Sequence, residues 1–251
     1  MRTVVASLVA VSVLVQCARA QAKSRAVPFV GCPADGQQGH IDPPRGQPKV
    51  VDSSYASLEG IAYYKGDYAP GVFAPGGWRC HIWYGSSGSI VLVTPTPIDT
   101  THYSPAHVLG PAVELSALSG GTSGRFGVAE YGARLFPTLL TKFVALVKAE
   151  SLVPDSEFDP RRFAHDSVTL LSPLVAQFTT PAGLGGLGTA ESLGPSPDPI
   201  RGVAVITPDS TEPDLAILRV RLGATKQQLE AVVLQLNRRC MQAATTCWGR
   251  W

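Results

Sequence analysis

The residues whose type and spacing could do chemistry are four histidines, a set of alternating carboxylates, a glycine-rich hexapeptide, a group of aromatics and the cysteines. A histidine base beside an orienting carboxylate is the core of much hydrolytic chemistry. His81, His102, His107 and His165 are the candidates here. None stands in a catalytic motif. The nucleophile elbow G-x-S-x-G is absent: Gly121-Thr122-Ser123-Gly124 begins like it, and Arg125 breaks it. Neither S-x-x-K nor H-E-x-x-H occurs. His102 and His107 have Asp99 nearby but no defined third ligand for zinc. His165 and Asp166 are neighbours, so on a strand they would point to opposite faces.

Asp155, Glu157 and Asp159 alternate, and Asp166 stands at the twelfth position of the stretch, as in a calcium loop. The sixth position is Pro160, where that loop needs glycine, and Arg161 and Arg162 can neutralise the carboxylates. The stretch reads as a solvated acidic-basic loop. Gly183-Leu184-Gly185-Gly186-Leu187-Gly188 matches G-x-G-x-x-G. A dinucleotide site needs a helix after that motif, so that pyrophosphate meets free N–H groups. Gly194, Pro195, Pro197 and Pro199 follow instead, and the stretch reads as a flexible glycine loop. No metal or cofactor is expected.

Aromatic faces can stack on sugars or anchor a protein partner. Residues 78–84 alternate, with Trp78, Cys80, Ile82 and Tyr84 on one face and Arg79, His81 and Trp83 on the other. Trp78 and Tyr84 are expected in the core. Trp83, on the opposite face, is the candidate for an exposed binding residue. Trp248 and Trp251 are expected to dock the chain terminus onto the body.

The start of the chain has the order basic, apolar, small. Arg2 precedes an apolar run over 4–15, and Ala18-Arg19-Ala20 suits signal peptidase. Twelve helical residues rise about 18 Å, short of a hydrocarbon core of about 30 Å, so residues 1–20 predict a cleaved signal peptide and not an anchor. Gln16 before Cys17 is too large for a lipoprotein signal. No later stretch is long and apolar enough to span a membrane. The mature chain is therefore expected to be periplasmic or secreted. Arg2 and Arg19 leave with the signal, so 19 of the 21 Lys and Arg residues face 19 Asp and Glu. A formally neutral chain has no general attraction for nucleic acid. The lone Asn237 and the absence of an Asn-x-Ser/Thr acceptor favour a bacterial source. Cys32, Cys80, Cys240 and Cys247 then form an even set in an oxidising compartment, which reads as two disulfides with three possible pairings. Cys32–Cys80 with Cys240–Cys247 is favoured, each joining its nearest partner along the chain.

These residues need elements to position them. With 25 Gly and 21 Pro and only 16% charged residues, the chain is loop-rich and depends on apolar packing. Residues 21–51 read as extended. Tyr55, Leu58, Ile61 and Ala62 recur at helical spacing, with Gly66 as a stop. Residues 78–84 and 90–93, around Gly85-Ser86-Ser87-Gly88, predict a β-hairpin. Strands are predicted over 111–118, 125–129, 168–171, 174–179, 201–207 and 215–222. A helix is predicted over about 131–150, with Pro137 kinking it or marking its first turn. A last helix begins at Thr225, with Thr225 and Gln228 as a capping box and Leu229, Val232, Val233, Leu236 and Cys240 on one face. Residues 181–199 are expected to be a mobile Gly/Pro-rich surface loop. The sum is a single α+β domain over 21–251, with antiparallel β-hairpins packed against two main helices and two disulfides.

Three segments carry a resemblance. Gly31-Cys32-Pro33-Ala34-Asp35-Gly36-Gln37, Ala74-Pro75-Gly76-Gly77-Trp78-Arg79-Cys80 and Tyr84-Gly85-Ser86-Ser87-Gly88-Ser89 resemble a family of exported bacterial proteins with no assigned activity. The likeness covers about residues 29–95 and implies export and a Cys32–Cys80 association. It supplies no ligand or catalytic residue. The expected function is a non-catalytic envelope or secreted accessory protein that binds another envelope protein or a glycan. The alternative is a secreted hydrolase with a dispersed site built on one of the four histidines and a nearby carboxylate.

Overall fold

The computed structural model describes residues 24–52, 58–100, 108–209 and 211–243. Five short strands open the chain: β1 (Ser24–Val27), β2 (Phe29–Gly31), β3 (Ala34–Gly36), β4 (Gly39–Ile41) and β5 (Lys49–Asp52). Then come β6 (Ile61–Lys65), β7 (Val72–Pro75), β8 (Arg79–Gly85), β9 (Gly88–Thr94) and β10 (Ala112–Leu118). Helices α1 (Arg125–Leu135) and α2 (Thr141–Ala149) precede β11 (Ser167–Ser172), β12 (Val175–Thr180), β13 (Ile200–Ile206) and β14 (Leu215–Arg221), and α3 (Gln227–Gln242) follows.

The architecture is α+β, built on a nine-stranded sheet in the order β11-β12-β13-β14-β10-β9-β8-β3-β4. Every pairing from β11 through to β8 is antiparallel, and β3 joins β8 in parallel. The expectation of hairpins against two helices underestimated the molecule, because the predicted strands merge into one large sheet. Smaller sheets form from β1 and β5 and from β2, β6 and β7.

Both faces of the large sheet are covered. On one face Val91, Val113, Leu115, Leu218 and Val220 pack with Val233, Leu236 and Met241 of α3 and with the β6–β7 layer. On the other, Phe178, Ala204 and Ile217 meet Val128, Leu135 and Phe143 of α1 and α2. Helix α3 carries its stripe on a 3.6-residue period, as predicted. Its Asn237 side chain bridges to β7: Oδ1 accepts from the Phe73 amide at 2.8 Å, and Nδ2 donates to the Phe73 carbonyl at 2.8 Å. The predicted Thr225 cap is replaced by a 3₁₀ turn over Ala224–Lys226, with no side-chain cap.

Three further elements differ from expectation. The helix predicted around 55–62 is, over its described part, a turn at 58–60 leading into strand β6, whose Ile61, Ala62, Tyr63 and Tyr64 are all buried between β2 and β7. A fully covered strand has no polar face, so its apolar spacing imitates a helix. Residues 125–129 open α1 and are not a strand. The helix predicted over 131–150 is two, broken after Leu135 where Pro137 lacks an N–H.

Residues 181–199 are packed onto the sheet. Leu187, Ser192 and Leu193 are fully buried. Asp166 holds the segment: it accepts from the Thr180 hydroxyl, and Oδ2 accepts from the Leu187 amide at 2.9 Å. A Cβ on Gly186 would lie 2.6 Å from the Asp166 carboxylate, so glycine there permits close approach of backbone to carboxylate. This accounts for part of the glycine-rich hexapeptide without a nucleotide. No helix among the described residues is long and apolar enough to cross a membrane.

The Cys32–Cys80 disulfide is present, tying the segment between β2 and β3 to β8. Cys240 ends the buried stripe of α3, and Cys247 lies outside the described residues.

Candidate functional site

A groove of about 810 Å³ opens where the turn after β6 meets the β8–β9 hairpin. Lys65, Tyr68, Tyr84, Ser86, Ser119 and Thr122 contribute to its walls. Strand alternation turns Tyr84 to the same face as Ile82, and Gly85 and Gly88 close the hairpin beside it. Tyr68 lies on Tyr84 with ring centroids 4.8 Å apart and planes 15° apart. Tyr68 is 51% exposed and has φ +61°, a left-handed backbone that a bulky residue seldom adopts. Such a conformation costs about 1–3 kcal/mol and collects at functional positions.

The β3–β4 turn holds this platform in place. Gln38 Oε1 accepts from the Tyr68 hydroxyl at 3.0 Å, and the Gly39 carbonyl accepts from the Tyr84 hydroxyl at 2.9 Å. Gln37 Nε2 donates to Ser86 Oγ at 3.3 Å, and Ser86 and Ser123 share a hydroxyl contact at 3.1 Å. The result is an aromatic shelf bordered by hydroxyls and amides, with Lys65 and Asp67 also on the groove wall. An apolar ring with an adjacent set of hydrogen-bond donors and acceptors can hold a polyhydroxylated ligand.

The same hairpin carries the nearest approach to acid–base chemistry. Asp35 on β3 lies between two histidines: His40 Nδ1 is 3.0 Å from Oδ1, and His81 Nε2 is 3.0 Å from Oδ2, the latter poorly aligned for a hydrogen bond. His81 is buried against the edge of Trp83, with ring centroids 4.6 Å apart. Burial holds the His81 imidazole below its ordinary value of 6.5; Asp35 pulls it upward and His40 pushes it down. Among the described residues no serine, threonine or cysteine hydrogen-bonds to either histidine, so the cluster lacks a nucleophile.

This depressed value fixes a sign. The unfolded chain binds the His81 proton more readily, so stability is full above about pH 6.5 and is lost as pH falls through the native value. One proton contributes a slope of at most about 1.4 kcal/mol per pH unit. His81→Gln should flatten that limb between pH 7 and 5 in urea-unfolding midpoints. An unchanged limb would assign the acid sensitivity to other groups.

The other sequence candidates fall elsewhere. Trp83 is only 5% exposed, because the face opposite the core is itself covered by Leu92, Leu193 and Ile200; the expectation of an exposed docking residue is corrected. Trp78 is half-buried, with the Lys226 ammonium 5.8 Å above its ring. The carboxylates of the calcium-like stretch are dispersed. Asp159 pairs with Arg161 at 2.6 Å, Glu157 with Arg162 at 2.5 Å, and Asp166 clamps the 181–199 segment. His165 is not joined to the His81 cluster. His102, His107, Trp248 and Trp251 lie outside the described residues.

Sequence reasoning passed over Tyr68, Asp35 and His40 as site residues. The signals were present as turns: Gly66-Asp67 before Tyr68, and Asp35-Gly36 before the hairpin tip. The fold and groove define an α+β protein with an aromatic groove bordered by hydroxyls. No family model matches this chain, and no curated protein or solved structure matches it either.

Proposed function

We propose that this is an exported, disulfide-stabilised accessory protein that binds a glycan on the Tyr68–Tyr84 shelf. The observation that carries the reading is Tyr68: a half-exposed ring, stacked on a second ring, held in a left-handed backbone on the wall of the 810 Å³ groove. The hydroxyls of Ser86, Ser119 and Thr122 suit sugar hydroxyls, and Lys65 and Asp67, which also line the groove, add one charge of each sign and no net charge. The export-type N-terminus and the Cys32–Cys80 crosslink support work outside the cytoplasm, in the periplasm or beyond, with Cys240 and Cys247 as the second crosslinked pair.

Tyr68→Gly is the informative variant, because glycine takes φ +61° without strain while the ring is removed. Calorimetry against cello-, chito- and malto-oligosaccharides should give saturable binding to at least one series. Tyr68→Gly should weaken it about 10-fold or more, as for a stacked anchor contributing upward of about 1.4 kcal/mol, without lowering the melting temperature. Absence of binding across the three series, or binding indifferent to Tyr68→Gly, would reject the reading.

A further inference from the structure

A second cleft lies on the α3 side of the sheet, away from Tyr68. It encloses about 520 Å³ between α3 and the β12–β13 pair, with walls that include Gln177, Thr179, Arg201, Val203, Gln235 and Arg238. Its construction follows from register. Thr179 is directly opposite Arg201, and Gln177 opposite Val203, so these four share one face of the sheet. Gln235 and Arg238, three apart on α3, share one side of the helix.

The charge balance of this cleft is one-sided. No aspartate or glutamate lines it. Arg201 reaches a carboxylate only at its edge, with Nε 3.5 Å from Glu230 Oε1. Among the described residues Arg238 makes no ion pair, and its Nε is closed off from water without an acceptor. A guanidinium carries five N–H donors and no acceptor, and a buried donor left unmatched is costly. Arg134 Nε and Arg219 Nη2 are likewise enclosed without an acceptor, but each of those guanidinium groups, like those of Arg221, Arg161 and Arg162, reaches a carbonyl or carboxylate through another nitrogen. Arg238, without an ion pair among the described residues, and Arg201, whose one carboxylate partner Glu230 stands outside the lining, place two guanidinium groups on one cleft beside neutral amides, a receptor for an oxyanion.

We propose that the Arg201–Arg238 cleft binds a ligand bearing a phosphate or carboxylate group. The two arginines meet the anion, and Gln177, Gln235 and Thr179 meet the neutral part of the molecule. This site is independent of the Tyr68 groove, and either can stand without the other.

The test uses the full chain, with sodium phosphate and sodium citrate as probes against sodium chloride of equal ionic strength. At least one probe should raise the melting temperature saturably, and calorimetry should give a matching dissociation constant. Response to phosphate alone or to citrate alone assigns the anion class. Arg238→Gln and Arg201→Gln should each weaken binding about 10-fold or more, the loss expected for a charge-assisted contact. Arg161→Gln, on the far exposed loop, should leave it unchanged. The proposal is overturned if neither probe gives a saturable effect beyond chloride. It is equally overturned if Arg161→Gln reduces the effect as much as Arg238→Gln, which would mark general charge screening. Should a cleft variant fail to fold, Arg238→Lys keeps the charge; retention of full affinity by it and by Arg201→Lys would also count against a shaped guanidinium site.

Discussion

Arg219→Met should lower the unfolding free energy by about 3–5 kcal/mol, the usual loss when one member of a buried ion pair is removed. Arg219 is fully buried on β14, facing Glu114 on the neighbouring β10, and their closest atoms are 2.8 Å apart. The same guanidinium donates to Ser116 Oγ at 2.8 Å and to the Leu187 carbonyl at 2.7 Å, and it stands 5.6 Å from the centre of the Tyr131 ring. Tyr131 in turn donates to Glu191 Oε1 at 2.8 Å, and burial pushes the Glu191 carboxyl above its ordinary value. Loss of Arg219 leaves the Glu114 carboxyl enclosed, with the Ser192 amide as its remaining hydrogen-bond donor among the described residues. Folded proteins have about 5–15 kcal/mol in total, so the loss takes a large fraction of the stability. Urea titration measures the loss. Pairing the change with Glu114→Gln should recover a large part of it, since the uncompensated charge is then gone. A single variant as stable as the parent would show that the pair adds nothing to stability.

Removing the Cys32–Cys80 crosslink should cost about 4 kcal/mol in the chain-entropy picture, because it closes a loop with a sequence separation of 48. The bond fastens the short parallel strand β3 to β8 at the end of the sheet where pairings are briefest. Cys32→Ala with Cys80→Ala is the cleaner experiment than chemical reduction, since Cys240 is also in a disulfide. The denaturation midpoint should fall while the β9–β10–β14 centre keeps its hydrogen-exchange protection. Uniform loss of protection across the sheet would mean that β3 and β4 are integral to the cooperative unit. Because these strands and their turn carry Asp35, His40 and the Gln38 that accepts from Tyr68, the double variant should also weaken the glycan binding proposed for the Tyr68 shelf.

The sequence made some of this architecture plain and hid the rest for definite reasons. The β8–β9 hairpin, β10 and the four C-terminal strands follow from short apolar runs between turn residues, and α3 from its periodic stripe. What periodicity could not reveal was which strands are neighbours, because β10 and β14 meet across about a hundred residues. Strand β6 was misread because both its faces are covered. Arg219 and Arg221 alternate with Leu218 and Val220 in the pattern of a solvent-facing side. They are instead roofed by the chain near Val108 and by residues 187–194; Arg221 donates to the carbonyls of Val108, Gly110 and Gly194. The alternation of β8 was read correctly, but Trp83 was assigned to water because the second roof leaves no local trace. The Tyr68 groove depends on a ring in a turn, where neither period nor propensity speaks.

The β10–β14 seam has a consequence for how the molecule reaches this state. Strands β8 to β10 and strands β11 to β14 are each joined by local antiparallel connections, but Ala112 finds Arg221 only after the intervening chain exists. Contacts so distant must offset the entropy of closing a long loop before any pairing energy returns, which slows folding. A nascent or threading chain therefore keeps the β10 edge open until its last quarter emerges, and the two half-sheets should zip together late, as a single committed step.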